Sequence, residues 1–284
     1  MRVGAKPRPV IAPAPKVEAL ATPLPAPMDP VRLAGPRTAT PAIVDGVAHV
    51  QSVLADIRAR KKADPNARCL VVLDLDNTMF ETRHRTKRAL LDFDRANGTR
   101  YFRGLALSEV GLDALRTAEA RGLPKHVAEK AQAHWSEFFW KGENFLLDRV
   151  IVPVAELALE AKKAGAEVMY LTGRVDFDST LAQLVAARLP DADAAHVFCK
   201  PNVDTKTAGY KVEVMQRWRA EGAHIGLFLT EGRSDIARIQ AADATLPCVR
   251  LDHPLETNLA YAIREDTPVL PIGWVDRQRR IERR

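Results

Sequence analysis

The chain has 284 residues, 46% of them hydrophobic, enough for one sizeable core with a smaller inserted unit. Its net charge of +6 sits in the ends: residues 1–40 carry six basic and two acidic side chains, residues 275–284 five and two, and the remainder 31 and 32. The near-neutral body argues against nucleic acid as the main partner, no apolar run reaches the roughly 18–20 residues of a membrane span, and Cys69, Cys199 and Cys248 lack the spacing of a zinc site or disulfide frame, which suits a reducing, cytoplasmic setting.

Nine prolines interrupt residues 1–40, so neither helix nor strand is expected there, and a disordered Pro/Ala-rich tail is the reading. A transit peptide at this end is disfavoured by the same prolines. Order is expected from Pro41, where Ile43, Val47, Val50, Leu54 and Ile57 recur at helical spacing. Cys69–Leu73 is a continuous apolar run ending in Asp74, as a parallel strand buried on both faces would be. Similar runs follow at 167–171, 195–199, 225–229 and 247–251, separated by helical patterns at 153–164, 176–189, 207–221 and 233–242. That alternation predicts an α/β fold, a Rossmann-like three-layer doubly wound parallel sheet. Residues 81–149 break the rhythm. Helical patterns at 84–96, 108–121 and 124–140, the last rich in aromatics, predict an inserted α-helical cap of some 70 residues. The expected domains are therefore a discontinuous core (41–80 and 150–251), the cap (81–149) and a C-terminal extension (252–284) with a basic end.

Ligands of open α/β sheets bind at the carboxyl ends of the strands, so the polar residues after each apolar run are the candidates. These are Asp74-Leu75-Asp76-Asn77-Thr78, then Thr172-Gly173-Arg174, then Lys200 and the more distant Lys211, then Glu231 and Asp235. Carboxylates crowded at one sheet edge repel and call for a cation. Oxygen-only ligands favour Mg²⁺, which keeps waters and contacts phosphate. Hydroxyl and backbone donors at Thr78, Thr172 and Gly173, with Arg174 and a lysine, suit phosphoryl oxygens. Lys211 is favoured over Lys200 for that lysine, because Lys200-Pro201 directly follows a strand and is placed to close a turn.

The segment VVLDLDNTMF resembles the first motif of the haloacid dehalogenase superfamily, an apolar strand leading into Asp-x-Asp-x-Thr. VMYLTGR is similar to its second motif, DTKTAGYKVEVMQRW to the stretch bearing the third-motif lysine, and GLFLTEGRSD to the fourth motif, with Thr230 and Glu231 where aspartates usually begin it. The four occur in the same order across residues 68–251. The resemblance implies a phosphatase-type hydrolase with a helical cap after motif one. Asp74 would be the nucleophile and form an aspartyl-phosphate, and Asp76 the general acid/base. Mg²⁺ would be held by Asp74, the Asp76 carbonyl, and Glu231 or Asp235. The expected substrate is a small phosphorylated compound. A phosphomutase or phosphotransferase of the same fold, or a nucleic-acid end phosphatase docked by the basic tails, are the alternatives.

Overall fold

Residues 45–255 and 261–272 are described by a computed structural model. The Pro-rich tail, the expected helix start at Pro41 and Ile43, and the arginine-rich end lie outside them. Strand β1 (Cys69–Leu73) is buried along its whole length. Side chains alternate across a strand, so Cys69, Val71 and Leu73 enter one apolar cluster while Leu70 and Val72 enter the other. The first cluster receives Val50, Leu54 and Ile57 from helix α1 (Gly46–Ala63), and the second receives Val214, Met215 and Trp218 from a helix considered below. Each fully buried side chain of this size contributes about 1.5–3 kcal/mol as an upper figure, which explains why an uninterrupted apolar run is placed at the centre.

After β1 the chain forms a two-stranded antiparallel ribbon, β2 (Phe80–Glu81) with β3 (Arg149–Val150), and between them the helices α2 (Arg83–Asn97), α3 (Ala114–Ala120) and α4 (Lys125–Phe139). It continues through α5 (Val152–Lys163), β4 (Glu167–Thr172), α6 (Phe177–Ala186), β5 (Val197–Cys199), α7 (Thr207–Ala220), β6 (His224–Thr230), α8 (Arg233–Ala242), β7 (Cys248–Asp252) and β8 (Val269–Pro271). The main sheet is wholly parallel, in the order β5-β4-β1-β6-β7-β8. Helices α1, α5 and α6 pack on one face, α7 and α8 on the other. This is the doubly wound three-layer α/β fold that the alternating runs imply. Among the described residues no helix is long and apolar enough to cross a membrane.

The insertion has a core of its own. Leu90 and Phe93 of α2, Ala114 and Ala118 of α3, and Val127, Ala131, Trp135 and Phe139 of α4 form a third cluster. Trp135 donates its indole N–H to Thr86 Oγ1 at 3.1 Å, whereas Trp140, just past the helix end, is half exposed. The helix expected over 108–121 is confined to 114–120, because Gly111 and the N-cap Asp113, whose carboxylate accepts from Arg116 N at 2.9 Å, start it late. The C-terminal stretch supplies β8, which packs so closely on α1 that a Cβ at Gly46 would overlap the Val269 backbone.

Candidate active site

The three central strands bring the candidate residues to one edge. Leu73 pairs with Tyr170 of β4 and with Leu229 of β6, so the residues after these strands emerge side by side. Asp74 stays in the ladder through its N–H to Leu229 O (3.0 Å), and its carboxylate accepts from Leu75 N (2.8 Å) and Thr230 Oγ1 (2.8 Å). The chain then turns sharply. Asn77 adopts a left-handed conformation (φ 55°), which Asn tolerates better than most residues. Its Oδ1 accepts from Thr82 Oγ1 at 2.6 Å, closing the loop.

Lys211, one turn into α7 and almost fully buried, bridges two carboxylates. Its ammonium lies 2.6 Å from Asp74 Oδ2 and 2.6 Å from Asp235 Oδ2. Glu231 sits beside them, accepting from Thr78 Oγ1 (2.9 Å) and returning its N–H to that same oxygen (3.1 Å). Three carboxylates thus share one ammonium. Burial raises the Asp74 carboxyl above its ordinary value, a rise that Lys211 opposes and Asp235 reinforces. Burial and the nearby Asp74 push Glu231 up to about 8. An all-oxygen, under-neutralised cluster of this type fits a hard divalent cation. Among the described residues no three His, Cys, Asp or Glu side chains stand ready as a complete cage. Such a cation would therefore complete its shell with backbone carbonyl, water and substrate, as Mg²⁺ does.

Asp76 has different company. Its Oδ1 accepts from Arg85 Nη2 and Arg174 Nη2, both at 2.7 Å, and its Oδ2 from Arg174 Nε at 3.1 Å. Burial alone would raise this carboxyl, but the two guanidinium groups outweigh it and hold it well below the usual carboxylate range. The second acid on these arginines is Asp148. Its Oδ2 is 3.4 Å from Arg174 Nη2, and its Oδ1 faces Arg85 Nε at 3.0 Å without the alignment of a hydrogen bond. The side chains of Arg85, Arg174 and Asp148 have no exposed surface, while that of Asp76 is 26% exposed. Burial raises Asp148 to about 7, with Arg85 opposing the rise. Gln183 completes the group, accepting from Arg174 Nη1 at 2.6 Å.

The remaining candidates fall into two sets. Thr78, Thr172, Gly173, Lys211, Glu231 and Asp235 gather with Asp74 and Asp76 around the strand ends. Gly173 has a packing role: a Cβ there would come within 2.7 Å of Thr207 Cγ2, at the first turn of α7. Arg174, expected to touch substrate, instead forks onto Asp76 with its side chain enclosed. Thr78 and Thr172 are also enclosed, and Thr172 Oγ1 accepts from Arg174 N at 3.3 Å. Lys200 is turned elsewhere, its ammonium donating to Val203 O and Thr205 O at 3.2 Å each, so it closes the loop after β5. Arg85, Asp148 and Gln183 had no signal in the sequence. Each lies in a segment that reads as ordinary helix or connection, and only the fold brings them to position 76.

No protein-family model and no curated protein sequence matches the chain. Among solved structures, a candidate phosphatase from Clostridium difficile superposes with a TM-score of 0.50 at 13% identity, covering 74% of this chain and 98% of that one. A predicted phosphatase from Clostridium acetobutylicum gives 0.49 at 14% identity (76% and 100% covered), and a haloacid dehalogenase-like hydrolase from Streptococcus pneumoniae 0.49 at 9% (75% and 98%). At such identity the first likeness speaks to fold alone.

Proposed function

We propose, for a chain that has the haloacid dehalogenase-like fold, that it is a Mg²⁺-dependent phosphomonoester hydrolase acting on a small phosphorylated substrate through an aspartyl-phosphate. The observation that carries this reading is the placing of Lys211 between Asp74 and Asp235, with Glu231 adjacent, at the carboxyl edge of the sheet. Asp74, held by Leu75 N and Thr230 Oγ1, offers a carboxylate oxygen to phosphorus. As that O–P bond forms, the bond to the leaving oxygen breaks; a leaving oxygen that needs a proton takes it from Asp76 only after that carboxylate has bound one, a step its two arginines oppose. In the second half Asp76 accepts a proton from water as the water oxygen bonds to phosphorus and the Asp74 O–P bond breaks, giving inorganic phosphate and the free Asp74 carboxylate. The two arginines favour the anion of Asp76, the form the second half needs.

Lys211 holds the nucleophile in place and offers positive charge to the phosphoryl oxygens, and Thr172 and the backbone after β4 line that side. The Asp74 carboxylate, the Asp76 carbonyl, and Glu231 or Asp235 would hold the metal, with Lys211 engaging one oxygen each of Asp74 and Asp235. Bound there, Mg²⁺ would offset the repulsion between nucleophile and phosphate. The helical insertion acts as the cap that excludes water.

Asp74→Asn tests the mechanism directly. With Mg²⁺ and 4-nitrophenyl phosphate, the variant is expected to lose turnover by at least about 10³-fold while keeping the circular dichroism and melting behaviour of the parent. Undiminished turnover in Asp74→Asn removes the proposal.

A further inference from the structure

The two arginines on Asp76 come from different parts of the molecule. Arg174 follows β4 in the core, whereas Arg85 belongs to α2, the first helix of the insertion. Arg85 is seated in that insertion: its Nη1 donates to Phe139 O at 3.0 Å and its guanidinium lies 3.7 Å from the Phe139 ring centroid. Phe145, in the return segment, stacks under both guanidinium groups, 4.8 Å from that of Arg85 and 4.2 Å from that of Arg174. Asp148, three residues on, contacts both arginines. Two cations, the Asp76 carboxylate and the Asp148 carboxyl therefore meet in a group built half from the core and half from the insertion, its charges balanced where Asp148 is ionised, and only Asp76 among them has exposed side-chain surface.

We propose that Arg85 and Arg174 are positioning residues that fix the carboxylate of Asp76 at the strand ends, and that Arg85 makes this orientation depend on the insertion being docked. The proposal deepens the phosphohydrolase reading and rests on it. Enclosed as they are, the arginines do not touch substrate and act through Asp76 alone. Arg174 supplies the fork that sets the carboxylate plane, and Arg85 supplies the third hydrogen bond, from the insertion. Asp148 has a different part. Once ionised, above about pH 7, it neutralises the second guanidinium and so offsets the burial of both arginines.

This division of labour is what the test separates. Arg85→Gln removes the insertion's hold on Asp76 but leaves Asp148 without its closest cation, so the variant should melt lower as well as turn over slowly. At pH 8, where Asp148 is ionised, Arg85→Gln with Asp148→Asn restores charge balance without restoring the hydrogen bond to Asp76. For 4-nitrophenyl phosphate with Mg²⁺ in the full chain, Arg85→Gln is expected to lower kcat by at least about tenfold with KM within about threefold of the parent. In the double variant the melting temperature should return toward the parent while kcat stays low. Recovery of kcat together with stability would make Arg85 a structural residue and overturn the proposal. So would an unchanged kcat in Arg85→Gln, or a loss confined to KM, which would mean substrate contact. If Arg85→Gln alone does not fold, the charge-balanced double variant carries the same comparison. A parent enzyme that turns over no phosphate ester fails at the earlier reading and takes this one with it, a result distinguishable from failure of the variants alone.

Discussion

Asp148 has no exposed side-chain surface, and burial raises its carboxyl to about 7 from an ordinary value of 3.8, even with Arg85 and Arg174 alongside. A carboxyl raised on folding binds its proton more tightly in the native state than in the unfolded chain. Its contribution is therefore most favourable below the unfolded value and is lost as pH climbs toward the folded one. Between about pH 4 and 7 this group alone gives a slope of up to about 1.4 kcal/mol per pH unit, falling stability with rising pH. Asp148→Asn should flatten that part of a stability–pH profile measured by urea denaturation; an equally steep profile in the variant contradicts the assignment of the slope to Asp148. Nothing in the local sequence announces this residue. Asp148 lies 63 positions from Arg85 and 26 from Arg174, and an acid before a short strand reads as an ordinary surface charge. Thr78 and Arg174 were legible as members of motifs, but what they touch was not. Both are enclosed, and a side chain's partner depends on packing that a motif does not encode.

Elements that bury a long apolar run were legible because the run itself is the physical cause of their placement. β1, β4, β6 and β7 lie where continuous hydrophobicity ends in a polar turn, and α5, α7 and α8 follow their 3.6-residue pattern to within a residue or two. The ribbon β2–β3 and strand β8 were not legible, since two or three residues carry no periodicity. The same scale explains Gly173. Its lack of a side chain lets the start of α7 approach the end of β4, and Lys211 is one turn further along that helix. A methyl at 173 meets the Thr207 side chain at 2.7 and 2.8 Å, so that side chain or the helix start that carries it must shift. Gly173→Ala is expected to cost about 1–3 kcal/mol and to reduce turnover by shifting Lys211. Thr207→Ala deletes both clashing atoms, so in a double-mutant cycle Gly173→Ala with Thr207→Ala should recover most of the loss. Strict additivity of the two changes would rule out this steric route.

At the scale of the whole molecule, the parallel sheet does one thing the sequence order cannot: it places residues 74, 211, 231 and 235 around a shared centre, from segments far apart in the chain. The result is electrostatically unfinished. Asp74, Glu231 and Asp235 carry up to three negative charges against the one positive charge of Lys211. Glu231 is pushed up to about 8 from 4.5, so near neutral pH it retains a proton in the folded protein that it would lose on unfolding. A divalent cation bound through Glu231 must displace that proton. Apparent Mg²⁺ affinity should therefore rise with pH up to about 8, and a fixed Mg²⁺ concentration should stabilise the fold more at pH 8 than at pH 6. At a free concentration near 100 times Kd the stabilisation is about 2.7 kcal/mol, enough to read as a shift in melting temperature. Glu231→Gln removes the titrating ligand, so the variant should show a smaller Mg²⁺-dependent shift with little difference between the two pH values. Equal Mg²⁺ shifts in the parent at pH 6 and pH 8 would place the cation away from Glu231, and the absence of any shift at either pH would remove the metal from the site.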